Sequence, residues 1–497
     1  MSNRTILLLV IIAAAAWFLY EPVMDRYFTD TSLRVSEPLS PFSGDQPSSH
    51  LETKRLDVTL ASYGGRILSV RLKKFVGSDG KPVELISGLL KSRGGIRIEI
   101  PGEEGLDDGL YHFSRDGHGV VFFRQAPSGL EVRKSYSPLG NSALAFRLQL
   151  VNRSGKRISL PGGYRIIPFY GIGLDGENGR KYLKVVWKEE GGDEVYREKA
   201  AKVKEPVRTE KAVAWMGLQN RYFAQVIVPL NRKLPASLLP LGDRQVYAVL
   251  QAPSVILDPG RSVETTFLFY FGPLSEKNLK GYYPGLEAIV DYGTFDFLGR
   301  AVVVLLHWIH GYTANYGVCL ILLAFVLRVL LFPVTQYNLR SLREMPRILD
   351  SIYSIEEEEK DPDRAAELTR PLRKKQIRAM AGSFLPLAIQ IPLFLALYEA
   401  LNRSIDLRRA GFIFWVKDLS VRDPYFLLPL LMGLAMILQQ RLTSANPGED
   451  HTWLYMPLGF ALLFSFFPAG LVLFWLVDSL FSVVQLAWIS TSKRVMR

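Results

Sequence analysis

Ile321-Leu-Leu-Ala-Phe-Val-Leu-Arg-Val-Leu-Leu-Phe332 is the stretch that decides how the chain is built. It lies inside the longer apolar run Tyr316–Gln336, which is long enough to cross a hydrocarbon core as a helix. Arg328 stands alone within it. An arginine at that depth costs about 2.5–3.5 kcal/mol on insertion scales unless it meets protein or water. Gln336, eight residues on, places the polar surface roughly 12 Å away, which is far for a side chain to snorkel. The readings are therefore a packing ion pair within a bundle or a wet cavity among helices, and the second makes Arg328 functional.

Working outward, further apolar runs follow at Phe384–Leu401, Tyr425–Gln440, Trp453–Phe467 and Leu471–Ile489. Pro468-Ala469-Gly470 divides the last two, which together exceed one crossing. Near the start, Arg4 precedes the mostly apolar residues Thr5 to Tyr20, about 24 Å as a helix. A signal peptide shares that pattern, but the run continues through Trp17, Phe18 and Leu19 past the small residues Ala13 to Ala16, which favours an uncleaved anchor. That makes six expected spans with both termini in the cytoplasm. Ten Lys or Arg between 337 and 382, and Lys493, Arg494 and Arg497 at the end, agree with this orientation. Loop 402–424 agrees less well, since it would lie outside yet carries Arg403, Arg408, Arg409, Lys417 and Arg422.

Between the first span and the others the period changes to two. Leu144, Phe146, Leu148 and Leu150 alternate with Ala145, Arg147 and Gln149, and Val263, Thr265, Phe267, Phe269 and Phe271 repeat the pattern. Many short strands with Gly- and Pro-rich turns predict a large antiparallel sandwich. The expected order is an anchor at 1–26, a Ser- and Pro-rich linker at 27–50 and a β domain at 51–290 ending in a helix near 275–290. An amphipathic helix at 291–312 follows, interfacial or a true span, then a transmembrane helix at 313–336. The 337–382 segment is a cytoplasmic helical hairpin, a solvated element or a docking platform. Helices at 383–490 and a basic tail at 491–497 complete the chain. The fold class expected is mixed: a six-span α-helical membrane bundle plus an all-β outer domain.

The formal charge of +12 and pI near 9.5 suit nucleic acid, an anionic membrane surface or the flanks of spans; with no base-reading module present, the spans account for it and no nucleic-acid partner is expected. Cys319 is the only cysteine, so an intramolecular disulfide and a cysteine zinc cluster are both excluded. No cofactor or metal is expected. The chain offers no phosphate loop, and no series of intramembrane acids and histidines for a proton relay.

Helical spacing assembles candidate partners for Arg328. Thr335 follows it by seven residues and shares its face. Trp475, Asp478, Ser482 and Gln485 recur at three, four and three on the last apolar run. Gln390 and Tyr398 mark one face of the 384–401 run, and Gln439 and Gln440 end the next. A lone amide in a membrane helix is often interhelical glue, but polar stripes on four helices point to a shared cavity. The expected groove residues are Arg328, Thr335, Gln390, Gln440, Trp475, Asp478 and Ser482.

At this point the chain resembles the YidC family of membrane protein insertases, relatives of the Oxa and Albino proteins. The residues that carry the resemblance are Asn315-Tyr-Gly317, Arg328 with Pro333, Phe384-Leu-Pro-Leu-Ala-Ile-Gln-Ile-Pro392 with Leu397-Tyr398, Asp418-Leu-Ser420 with Asp423-Pro-Tyr425, and Phe467-Pro-Ala-Gly-Leu-Val-Leu-Phe-Trp475. Trp215-Met-Gly-Leu-Gln-Asn-Arg-Tyr-Phe223 and Val290-Asp-Tyr-Gly293 resemble the long form of double-membraned bacteria. The resemblance implies a periplasmic β-supersandwich in the inner membrane protein and a groove whose arginine receives hydrophilic segments of nascent membrane proteins. It implies action alone or beside the Sec translocon, within the lipid bilayer, with no bond made or broken. Two departures stand out. Asp478-Ser479 occupies the place where the family pattern suggests an Asn, and the chain ends without the long basic tail that some members use to touch ribosomes, so ribosome contact is not carried over. A small-solute transporter and an anchored sugar-active enzyme are the rival classes. The outer domain resembles galactose mutarotases in fold, yet His50, His112 and His118 form no catalytic pattern.

Overall fold

The computed structural model describes residues 47–495 except 78–79, 87–93, 170, 174–181, 241–245, 360 and 444–451. The expected anchor, most of the linker and the last two residues lie outside the described residues. The chain divides into two compact units at Val290/Asp291.

The first unit is all-β apart from short helical turns, and its strands pair antiparallel throughout. A thirteen-stranded sheet holds most of them, with strands 130–139, 143–152, 262–273 and 223–229 as consecutive neighbours. Residues 48–52, 56–61, 66–76 and 82–84 form a separate four-stranded sheet. The period-two reading of 143–152 holds: Leu144, Phe146, Leu148 and Leu150 are buried while Arg147 is exposed. In 262–273 the alternation fades after Thr266, because Phe267 to Pro273 are buried on both faces. Central strands covered on both sides lose the polar half of the pattern.

Two expected boundaries need correction. The linker does not reach residue 50, since Ser48–Glu52 is already a strand paired with Leu56–Ala61. The helix expected near 275–290 is only one turn at Glu276–Leu279 and a 3-10 turn at Leu286–Ile289. Pro284 and Gly285, the latter at φ +81°, interrupt it; proline lacks the donor and glycine alone enters that region cheaply.

A buried polar knot ties this unit together. Lys134 is fully buried and donates to the carbonyls of Gly64 and Ile96 at 2.6 and 3.1 Å, with Asp107 Oδ1 at 2.5 Å. Tyr111 Oη and the Ile98 amide both donate to Asp107, and Arg66 bonds the Asp107 carbonyl and Asp108. Burial outweighs the Asp107 charge and pushes the Lys134 ammonium down to about 8. Burial first, then Asp107, raises the Tyr111 phenol well above its ordinary value.

The second unit is helical. We label its helices α1 (Asp296–Thr313), α2 (Tyr316–Leu330), α3 (Phe332–Glu358), α4 (Pro362–Arg403), α5 (Leu427–Thr443), α6 (Thr452–Phe464) and α7 (Ala469–Val495). Ala469–Ala487 is the one described helix that is straight, long and apolar enough to cross a membrane by itself, and the bent pair α2 with the start of α3 qualifies as a second. The apolar parts of α5 and α6 are shorter, so six spans are not established by helix length among the described residues.

The expected helix 313–336 is not one straight rod. It breaks at Leu331 and turns by 56° into α3. Pro333 explains the break, because it cannot donate to the carbonyl four residues back and disfavours a helical residue before it. The hairpin and the span after it are likewise one element: α4 runs 42 residues without interruption. Asp361 caps its start by accepting from the Asp363 amide at 3.1 Å.

Asp291 to Gly293 are pinned to the end of α4. Arg403 donates to the Asp291 carbonyl and carboxylate and pairs with Glu399 at 2.6 Å, while Gly293 at φ +83° lies close against the Glu399 side chain. On α1, Val302, Val303, Leu306 and Ile309 are buried against α2 and α4. Its opposite face exposes Phe297, Val304, Trp308 and Tyr312. The bundle shows apolar side chains at helical spacing on its outside as well: Leu430, Leu434, Leu438 and Leu442 on α5, Leu458 and Leu462 on α6, Leu480 and Val484 on α7. Such a surface in water is a liability; in lipid it is the ordinary exterior.

Candidate functional site

Asn315 opens α2 as a helix cap, its side chain accepting from the amides of Gly317 and Val318 at 2.9 and 3.2 Å. From there the helix carries Arg328 to within one turn of the break at Leu331. α7 packs along α2, and also against α5 and α4. Between these four helices and the first turns of α3 lies a cavity of about 300 Å³.

Arg328 is its centre. One guanidinium nitrogen, Nη2, donates to Gln485 Oε1 at 2.8 Å, and Nη1 lies 3.6 Å from Asp478 Oδ1. The arginine and aspartate side chains are 21% and 25% exposed, so the pair is largely withdrawn from the surface yet open to the cavity. Arg328 Nε and Gln485 Nε2 are buried with no hydrogen-bond partner among the described residues. Leu327, Ile389, Leu393 and Phe474 supply apolar parts of the cavity wall. A buried donor without an acceptor costs about 1–3 kcal/mol.

The expected groove residues divide. Arg328, Thr335, Gln390, Asp478 and Ser482 line the cavity. Thr335 and Ser482 spend their hydroxyl protons on backbone carbonyls one turn back, those of Leu331 and Asp478 at 3.1 and 2.9 Å, and so present oxygen lone pairs. Gln440 is not among the lining residues; its neighbour Gln439 is. One residue turns the side chain by about 100° on a helix, enough to move an amide off the wall. Trp475 is also elsewhere. It packs in an aromatic cluster, its ring centroid 5.2 Å from Phe394 and 5.4 Å from Phe464, joining α7 to α4 and α6. Asn338 lines the cavity without having been expected, since it falls beyond the apolar run and inside the segment read as hairpin. Its spacing of three from Thr335 was the available signal.

No group of three or more His, Cys, Asp or Glu able to hold a metal occurs among the described residues.

Comparison with known proteins agrees with this architecture. The YidC periplasmic domain model matches residues 48–305 and the 60Kd inner membrane protein model matches residues 308–495. The membrane protein insertase YidC of Geotalea daltonii is 30% identical over 381 residues, covering 75% of this chain and 71% of that one. The chain belongs to the YidC family of membrane protein insertases. YidC of Geobacter sulfurreducens is 28% identical over 461 residues, 89% of this chain and 86% of the relative. A solved structure described as an active YidC insertase with its first transmembrane domain resolved aligns over 96% of this chain and 99% of its own, at 15% identity and a TM-score of 0.36. As a YidC family member the chain is a bacterial inner membrane protein that inserts other membrane proteins, and it is not an enzyme.

Proposed function

We propose that this insertase receives the hydrophilic segment of a nascent membrane protein in the cavity around Arg328. The observation that carries this reading is a guanidinium held at the wall of a partly apolar cavity between α2 and α7, with a donor unused beside it. A polar pocket shortens the hydrocarbon path that a hydrophilic tail must cross, and a fixed positive charge attracts acidic tails. Thr335, Gln390, Gln439 and Ser482 supply neutral hydrogen-bonding groups, which suit main-chain amides of any sequence.

In this reading the chain crosses the membrane six times: an anchor within 1–26, the bent pair α2 with the start of α3, the apolar part of α4, then α5, α6 and α7. Both termini and the 337–382 hairpin are cytoplasmic, and the β unit is periplasmic, as the distribution of Lys and Arg favours. α1 lies at the outer interface with Phe297, Val304, Trp308 and Tyr312 toward lipid. In this reading the insertase acts alone or beside the Sec translocon.

Photocrosslinking tests the cavity. A benzophenone amino acid at Ile389 or Gln439 should form adducts with the translocating tail of a ribosome-bound nascent membrane protein. Adducts from neither cavity position, with insertion still active, would refute the reading.

A further inference from the structure

Loop 404–426, which joins α4 to α5, carries Phe414 at the tip of a tight turn. Its side chain is 83% exposed and its backbone sits at φ +51°, the left-handed region that large residues enter only at a cost. The turn is closed by the Phe412 amide on the Val416 carbonyl at 2.8 Å and the Val416 amide on the Ile413 carbonyl at 3.1 Å. Ile413 beside it is exposed too. This is not a loose loop. The Phe412 ring fills the space that a Cβ on Gly317 would need, and Asn315 Nδ2 donates to the Phe412 carbonyl at 3.2 Å. Trp415 Nε1 donates to the buried Asp423 at 3.1 Å, and the amides of Ala469 and Gly470 donate to Val421 and Leu419. Two apolar side chains are thus held outward by a scaffold tied to the first turns of α2 and α7.

The charges around the tip are sorted. The acids are engaged within the protein: Asp406 pairs with His307, Asp418 holds Ser420, and the buried Asp423 caps the start of α5. Arg409, Lys417 and Arg422 are exposed. These are three of the five cations in 402–424 that go against the positive-inside rule for an outer loop. The exposed aromatic stripe of α1 ends at Tyr312, three residues before the Asn315 that holds the turn.

We propose that the Ile413–Phe414 tip is a second interfacial anchor, inserted into the outer leaflet of the inner membrane and held there by anionic lipid headgroups around Arg409, Lys417 and Arg422. It rests on the six-span topology proposed above. An apolar wedge with a cationic collar matches a leaflet of acyl chains beneath anionic headgroups. It also gives a reason for basic residues on the far side of the membrane. The anchor would set the depth of the outer ends of α2 and α7, and so the level at which Arg328 sits.

The test uses the full chain with Cys319→Ala, reconstituted in vesicles of phosphatidylglycerol and phosphatidylcholine and labelled with bimane at Ile413→Cys or, in a second protein, at Val484→Cys on the apolar exterior of α7. Lipids brominated high on the acyl chain should quench the Ile413 label at least twofold, and Phe414→Asp or removal of the anionic lipid should abolish most of that quenching. Quenching at Val484 without quenching at Ile413 would overturn the anchor alone. Quenching at neither position would overturn the membrane topology and the anchor with it.

Discussion

Arg328 Nη1 and Asp478 Oδ1 lie 3.6 Å apart across α2 and α7. The cavity's cation therefore has its own carboxylate, and Gln485 holds the other side of the guanidinium fork. An acidic segment of a substrate entering the cavity must compete with Asp478 rather than meet a bare charge. Asp478→Asn should strengthen crosslinking of acidic translocated tails to the cavity, while neutral tails are unaffected. Equal yields from wild type and Asp478→Asn with an acidic tail would show that Asp478 does not hold the arginine back.

Arg328→Ala should slow insertion of substrates with charged translocated tails and leave the half-buried Asp478 without its partner. Arg328→Lys should be milder, since the charge stays while the fork that reaches Gln485 and Asp478 together is lost. A double-mutant cycle of Arg328→Ala and Asp478→Asn on thermal stability should give a coupling of about 1 kcal/mol. Strict additivity would mean that the charges do not interact in the bilayer.

On α1 the two faces have different jobs. Val303 and Leu306 are buried against other helices of the bundle. Leu306→Asp should lower the yield of folded protein, because an unpaired buried carboxylate costs several kcal/mol. Trp308→Asp, at a position 61% exposed, should leave the fold intact and reduce insertion by shifting the helix at the interface. Size-exclusion profiles separate the two outcomes, and matching profiles for both variants would contradict this assignment.

Removing the β unit while keeping the anchor and everything from Asp291 onward should cost little insertion activity, since every described cavity wall comes from the helical unit. An insertion assay in proteoliposomes checks it. Loss of activity with a correctly integrated helical unit would give the β unit a direct part in insertion.

Lys134 gives the β unit a pH signature. Its folded value near 8 lies below the ordinary 10.5, so below pH 8 burial penalises the folded state fully. Between about 8 and 10.5 the unfolded chain binds the extra proton, and this group makes stability rise with pH. Lys134→Met should remove that rise. It should also destabilise the unit by about 3–5 kcal/mol at neutral pH, leaving Asp107 without its closest cation. Thermal melts from pH 7 to 10.5 followed in the β signal read both effects; parallel curves for the two proteins would exclude the assignment.

Much of this protein could be read from its residues in order. The alternation in 143–152 specified a half-buried strand, because a period of two puts every second side chain on the core face whatever the core is. The lone arginine in an apolar run, and the spacing of Asp478, Ser482 and Gln485, specified polar faces in the same way. What periodicity cannot say is which neighbour a face meets. Trp475 shares the turn spacing of Asp478 but looks toward Phe394 and Phe464, and Gln439 rather than Gln440 reaches the cavity wall. Asn338, a cavity residue, lies beyond the 56° bend at Leu331. The cavity is closed by helices more than a hundred residues apart in the chain, Arg328 and Gln485 being separated by 157 positions, and their relative rotation is set by how side chains of different size pack between them. Local sequence determines the face of each helix; only the packing of all of them decides which faces share one space.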